Sequence, residues 1–192
     1  MIKNFLESSI KQFEYYKMLG DKTFSQLSEE HLFLELNKET NSIAIIVNHL
    51  NGNMLSRWSD FLTTDGEKDW RNRDNEFENR IQNETDLLKK WNEGWDCLLN
   101  AITPLTVTDF ETEIFIRNQG HTVIEAINRQ LAHYSYHVGQ IVLLGKIFLD
   151  EKWISLSIPK GNSQTYNSEK FSKPKIKKHF TDEYLNENKK AD

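Results

Sequence analysis

The 192-residue chain has one cysteine, three prolines, eight glycines and no basic surplus. A single thiol builds no internal disulfide framework, which points to a reducing compartment. Cys97 lies among Trp95, Leu98 and Leu99 with no CxxC partner, so it reads as a buried, inert thiol. So little proline and glycine disfavours a loop-rich all-β protein. A net charge of −5 and a pI near 5.7 argue against a nucleic-acid partner, which needs cations to neutralise phosphates. No apolar run reaches bilayer length, and no secretory h-region follows Met1–Glu7; a cytoplasmic protein without a membrane partner is expected. Neither GxxxxGK[ST] nor GxGxxG occurs, which disfavours nucleotide phosphates. No Glu-x-x-His is present, so a di-iron carboxylate site is unsupported.

Large side chains are plentiful. Eleven Phe, five Trp and six Tyr supply buried surface enough for one domain with a real core. Ile2, Leu6, Ile10, Phe13 and Tyr16 recur at steps of three and four, which predicts a helix running to about Leu27. Residues 28–40 lack a period and read as a connection. Asn41-Ser42 is a good N-cap for a second helix carrying Ile43, Ile46, Val47, Leu50, Met54, Trp58 and Phe61, closed by Thr63-Thr64-Asp65-Gly66. The stretch 67–79, with Trp70-Arg71-Asn72-Arg73-Asp74, is too polar for core and reads as a long ordered loop. A third helix is predicted from Phe77 through Ile81, Leu88, Trp91, Trp95 and Leu98 to Ile102, stopped by Pro104.

Phe110, Ile114 and Ile116 predict a short strand or hairpin. Thr122-Val123-Ile124-Glu125 is a capping box that opens a fourth helix running to about Leu149. Ser155–Gly161 reads as extended. Lys173, Lys175, Lys177 and Lys178, followed by Asp182, Glu183 and Glu187, read as a solvated tail. Together these predict an all-α four-helix bundle over residues 1–171 and a flexible charged tail over 172–192. The long connection between the second and third helices favours a crossover topology.

His133 and His137 sit four apart on the fourth helix, so their Cβ atoms lie about 5–6 Å apart on one face. Two such imidazoles can share one ion at Zn–N distances of ~2.0–2.1 Å. Random placement of the six histidines gives about 0.2 such pairs, so spacing alone is a weak signal. Placement adds weight. At about 100° per residue from Val123, the core stripe centres near ~50°. His133 falls near ~280° and His137 near ~320°, alongside Ala126 and Gln130, on a semi-polar face beside the core. His49 flanks the second helix's stripe in the same way. Two such faces can converge into a three-nitrogen site with open positions, the pattern of reactive metal centres. An ordinary boundary histidine explains His49 equally well. Tyr134 occupies the position where a zincin would carry glutamate, so no general base of that kind is supplied.

Gln130, Tyr134 and Tyr136 are candidates for a supporting shell, with packing the expected role of the tyrosines. His31, His121 and His179 are expected in loops or at the surface. Arg57, Arg71 and Arg73 read as solvated charge, with anion binding as the alternative.

The segments Asn48-His49-Leu50, Arg57-Trp58, Phe61-Leu62-Thr63-Thr64-Asp65-Gly66-Glu67-Lys68, Trp70–Asp74, Gly120–Val123, Ala132–Ile141 and Ser155–Gly161 resemble the DinB/YfiT-like superfamily of bacterial metalloproteins. The likeness spans roughly residues 1–171 and is greatest to an uncharacterised subfamily. It implies an up-up-down-down bundle, often a homodimer, with a His-x-x-x-His pair on the fourth helix and a third His on the second. The matching positions are His133, His137 and His49, with Ni, Zn or a similar divalent ion. Some relatives are transferases or isomerases dependent on bacillithiol, mycothiol or glutathione. The resemblance therefore implies a metal-dependent enzyme acting on a small molecule: an S-transferase with a low-molecular-weight thiol as cofactor fits the family, and a hydrolase fits the open coordination positions. The alternative is a non-catalytic metal-binding or stress-related bundle. Catalytic residues beyond the ligands are not identified by either route.

Overall fold

Local capping chemistry sets where the helices begin. In the computed structural model, which describes residues 1–188, the Ser42 side chain accepts from the backbone N–H of Ile45 at 3.2 Å and opens α3 (Ile43–Trp58). Asn83 accepts from Asp86 N–H at 2.9 Å and opens α4 (Glu84–Ile102). Thr122 and Glu125 form the expected reciprocal box at the head of α5 (Val123–Leu149). Each cap satisfies backbone donors that a helix start leaves without partners.

The chain is predominantly helical. α1 (Ile2–Phe24) packs along α5, and α3 packs along α4; α3 also contacts α5, and α1 contacts α4. Phe13, Leu50, Met54, Leu87, Trp91, Trp95, Leu98, Ile127, Tyr134 and Ile141 fill the space between these four helices. Almost every residue of α3 is buried, because α3 has neighbours on several sides. That is why its apolar stripe is broad and His49 lies within the interior.

The structure departs from the periodicity reading at several ends. The presumed connection after the first helix contains a short helix, α2 (Glu29–Phe33), held where His31 Nδ1 meets the Ser28 hydroxyl at 3.0 Å. α3 ends at Trp58 rather than near Gly66, and Asp60 turns the chain with φ at 49°. Phe77 and Ile81 precede α4: Phe77 ends a 3-10 turn, Asp74–Phe77, and Ile81 is buried in the loop. Both obey helical spacing without being helical, because a loop folded onto the core also buries apolar residues.

The hairpin is present. β1 (Glu113–Ile116) and β2 (Gln119–Thr122) pair antiparallel, with Ile116 opposite Gln119. Arg117 and Asn118 both have positive φ, 56° and 58°, as a two-residue type I′ turn requires. The Asp65 carboxylate accepts both turn N–H groups at 2.8 Å. This ties the loop after α3 to the hairpin.

Residues expected in the tail begin as exposed chain after α6 (Ser163–Phe171). Further on, Thr181 is fully buried and α7 (Asp182–Asn188) lies on α1. Lys11 bonds Asp182 at 2.7 Å, and Tyr15 packs against Phe180 and Tyr184. The charged sequence masks this ion pair and these two aromatic contacts, which periodicity does not register. Residues 189–192 of the expected tail lie outside the described residues. No helix among the described residues is long and apolar enough to cross a membrane.

Candidate metal centre

α3 and α5 cross so that three imidazoles from two segments converge. His49 Nε2 lies 3.3 Å from His133 Nε2, and His137 Nε2 lies 3.1 Å from the same atom. The three ligand atoms all fall within 4.8 Å of one another. Two nitrogens bound to one ion at ~2.05 Å stand about 2.9–3.3 Å apart in octahedral or tetrahedral geometry. The two short separations match that range.

The opposite ring nitrogens explain why the facing ones are free. His49 Nδ1 donates to Glu76 Oε2 at 2.9 Å, His133 Nδ1 to Gln130 Oε1 at 3.3 Å, and His137 Nδ1 to Gln140 Oε1 at 2.7 Å. Each Nδ1 is therefore the protonated nitrogen, and each Nε2 carries a lone pair. Three lone pairs pointing at one another repel unless a cation lies among them. An oxygen acceptor behind each imidazole is also the usual way in which metal-binding histidines are oriented. The donor set thus fits a divalent first-row ion, and His49, His133 and His137 could hold one.

Burial keeps the His133 and His137 rings neutral. Loss of hydration, with His137 and His49 alongside, pushes His133 down to about 3. Burial, with His49 nearby, pushes His137 down to about 4. Neutral imidazole is the form that ligates a metal.

Glu76 extends the site into a buried ionic network. Burial opposes its charge, yet hydrogen bonds from His49 and Arg71 hold its carboxyl below the ordinary glutamate value. Arg71 grips both Glu76 oxygens, Nε to Oε1 at 2.7 Å and Nη2 to Oε2 at 2.9 Å. Glu67 Oε2 in turn accepts from Arg71, Arg57 and Arg117. The Arg71 side chain is 2% exposed and that of Arg57 6%. The expectation of solvated arginines is thus corrected for these two, because carboxylates from the 67–76 loop accompany them inward. Arg73 is exposed and lies over the Phe77 ring at 5.3 Å, and Phe77 stacks on His49 at 4.7 Å.

Among the other candidates, Gln130 supports His133 as anticipated. Tyr134 is wholly buried, its hydroxyl accepting from Trp58 Nε1 and donating to Asn53 Oδ1 at 3.0 Å each; its role is packing. Tyr136 is exposed and edges against His137 at 5.0 Å. His121 sits on β2 and His179 bonds Ser8, both away from the cluster. Cys97 is half-buried, and burial raises its thiol.

Sequence reasoning missed Glu76, Arg71 as its partner, and Gln140. Gln140 follows His137 by three residues, as His133 follows Gln130, so helical spacing could have found it. Nothing in spacing links Glu76 to a histidine 27 positions earlier.

No curated protein and no solved structure matches the chain. Residues 1–162 match a family described as "Protein of unknown function (DUF1572)", more than four-fifths of the sequence, and the chain belongs to that family.

Proposed function

We propose that the chain is a divalent-metal-dependent enzyme of the DinB/YfiT-like type, with His49, His133 and His137 as the protein ligands of one ion. One observation carries this reading: the Nε2 atoms of His49 and His137 both lie within 3.3 Å of His133 Nε2 while an oxygen acceptor occupies every Nδ1. Three neutral nitrogens leave coordination positions for exogenous ligands, as in reactive rather than closed sites. Zinc, nickel or a similar ion bound there would lower the pKa of a coordinated thiol or water toward neutrality. On this reading the reaction is S-transfer involving a low-molecular-weight thiol and a small electrophilic substrate. The chain's own residues hold the imidazoles in one tautomer through Glu76, Gln130 and Gln140, and Phe77 and Tyr136 pack against His49 and His137. The pairing of α1 with α5 and α3 with α4 suits an up-up-down-down bundle, and the lone thiol suits a reducing cytoplasm.

Metal analysis of untagged protein tests the site, with the His49→Ala/His133→Ala/His137→Ala variant as comparison. One ion per chain, lost in the variant, is expected; equal metal content in both would refute the site. Incubating loaded protein with low-molecular-weight thiols and electrophiles then tests the chemistry, with metal-dependent thiol consumption expected. The buried Glu76–Arg71–Glu67 network favours a second reading, in which the ion is a non-catalytic staple between α3, α5 and the loop. That reading predicts a large rise in melting temperature with metal and no exchangeable water on a cobalt-substituted form.

A further inference from the structure

The strap that joins α6 to α7 differs from the rest of the chain in charge and in what it leaves in water. Residues 170–180 hold five lysines and no acidic residue. Removing these five from the chain's 24 basic residues leaves 19 against 29 acidic ones. The strap is a cationic island on an anionic body. Within it Phe171, Ile176 and Phe180 are 85%, 73% and 56% exposed. Single apolar side chains are common on a surface, but three large ones close together mark a place of contact.

Both ends of the strap are pinned, so its exposure is not that of a free end. Lys170 and Tyr166 of α6 bond Glu183 of α7. At the far end His179 meets the Ser8 hydroxyl at 3.0 Å, Phe180 packs on Tyr15, and Thr181 is fully buried. Between these anchors every residue from 171 to 178 is exposed. Pro174 keeps α6 from continuing, because it lacks a backbone N–H and disfavours helical geometry at Lys173. Lys173 forms an exposed pair with Glu169, and Lys178 lies near Glu183 at 3.7 Å. Lys175 and Lys177 have no acidic partner among the described residues.

A partner for this strap must suit lysine and bulky apolar side chains together. The strap has no arginine, whose planar fork reads base edges and single phosphates. Lysine is a point charge that serves a diffuse anionic surface. Ile176, unlike an aromatic residue, cannot stack on a base. An anionic bilayer offers both parts, headgroup charge and an acyl boundary beneath it. We infer that residues 170–180 dock the protein on an anionic lipid surface, with the lysines against the headgroups and Phe171, Ile176 and Phe180 in the acyl boundary. The same surface repels the acidic body, which leaves the strap as the point of contact. The expectation of no membrane partner came from the lack of a spanning run, and docking at the surface needs none. The strap is anchored to α1 and shares no residue with the imidazole cluster, so the inference stands or falls independently of the proposed function.

Co-sedimentation of the full chain with lipid vesicles tests it. Binding to phosphatidylglycerol vesicles is expected, weakening as salt rises, with none to vesicles of phosphatidylcholine alone. Lys175→Gln/Lys177→Gln should weaken binding about 25-fold, at roughly fivefold for each lysine near the surface. Phe171→Ser/Ile176→Ser should weaken it at least about tenfold by removing the inserted apolar area. Both variants alter only exposed side chains, so far-UV circular dichroism and melting temperature should match the wild type. A chain that ignores phosphatidylglycerol vesicles would overturn the inference. So would binding that either double variant leaves unchanged. Tighter binding to single-stranded RNA at the same salt would also overturn it, by assigning the strap to nucleic acid.

Discussion

Glu76 accepts a 2.9 Å hydrogen bond from His49 Nδ1 while both its oxygens are held by Arg71. The carboxylate thereby fixes the His49 tautomer and joins α3 to a loop that periodicity marks only as polar. This contact makes the imidazole cluster more than a coincidence of three rings, because it settles which nitrogen of His49 carries the proton.

Replacing Glu76 with Gln keeps the side-chain volume and removes the charge. Metal affinity should fall by about 10–100-fold, the usual effect of losing a supporting carboxylate. Competition titration against a chromogenic chelator measures this. An unchanged affinity would mean that the carboxylate does not tune His49.

Gly52 lies beneath the Glu76 side chain. A Cβ there would stand 2.5 Å from Oε1, 2.8 Å from Cδ and 3.0 Å from Cγ. In an ordinary helix interior Gly→Ala gains about 1 kcal/mol. Here Gly52→Ala should instead lower the melting temperature and weaken metal binding together, by moving Glu76 off His49. A more stable variant with normal binding would refute the close approach.

Arg71→Ala removes one partner from a pair whose side chains are 2% and 8% exposed. An uncompensated buried carboxylate should then cost about 3–5 kcal/mol in urea unfolding. A loss below about 1 kcal/mol, the range of surface ion pairs, would show that water reaches Glu76.

Acid should destabilise the metal-free protein through the cluster. His133 and His137 are pushed down to about 3 and about 4 from an ordinary 6.5. Below pH 6.5 the unfolded chain takes up protons that the folded rings refuse. Stability is therefore complete above that pH and declines as pH falls toward 4 and 3. The slope is at most about 1.4 kcal/mol per pH unit for each ring. Between pH 6.5 and 5, above the carboxylate range, His133→Ala/His137→Ala should flatten the slope. An equal slope in that variant would assign the acid sensitivity elsewhere. Loaded protein should release its ion in the same direction, since protons compete for Nε2.

The elements most visible in the sequence were those governed by neighbours along the chain. The Thr122–Glu125 box, the cap Ser42, and the apolar steps of α1, α4 and α5 depend on contacts within three or four residues. Phe77 and Ile81 misled the periodicity because burial by a folded-back loop leaves the same apolar mark as burial by a helix. The buried state of Arg57 and Arg71 was hidden for a related reason: a charge enters the interior only with its partner, and Glu67 and Glu76 are partners defined by folding.

His133 and His137 were paired by the pitch of a single helix, and the sequence alone was enough to put them on one face. Bringing His49 to within 3.3 Å of His133 across 84 residues required α3 and α5 to pack. The Glu76 contact required the loop to close over Gly52. Local hydrogen bonds and helical geometry act over a turn and leave a readable pattern. Contacts between segments are set by how whole faces fit, and no spacing in the chain encodes that fit.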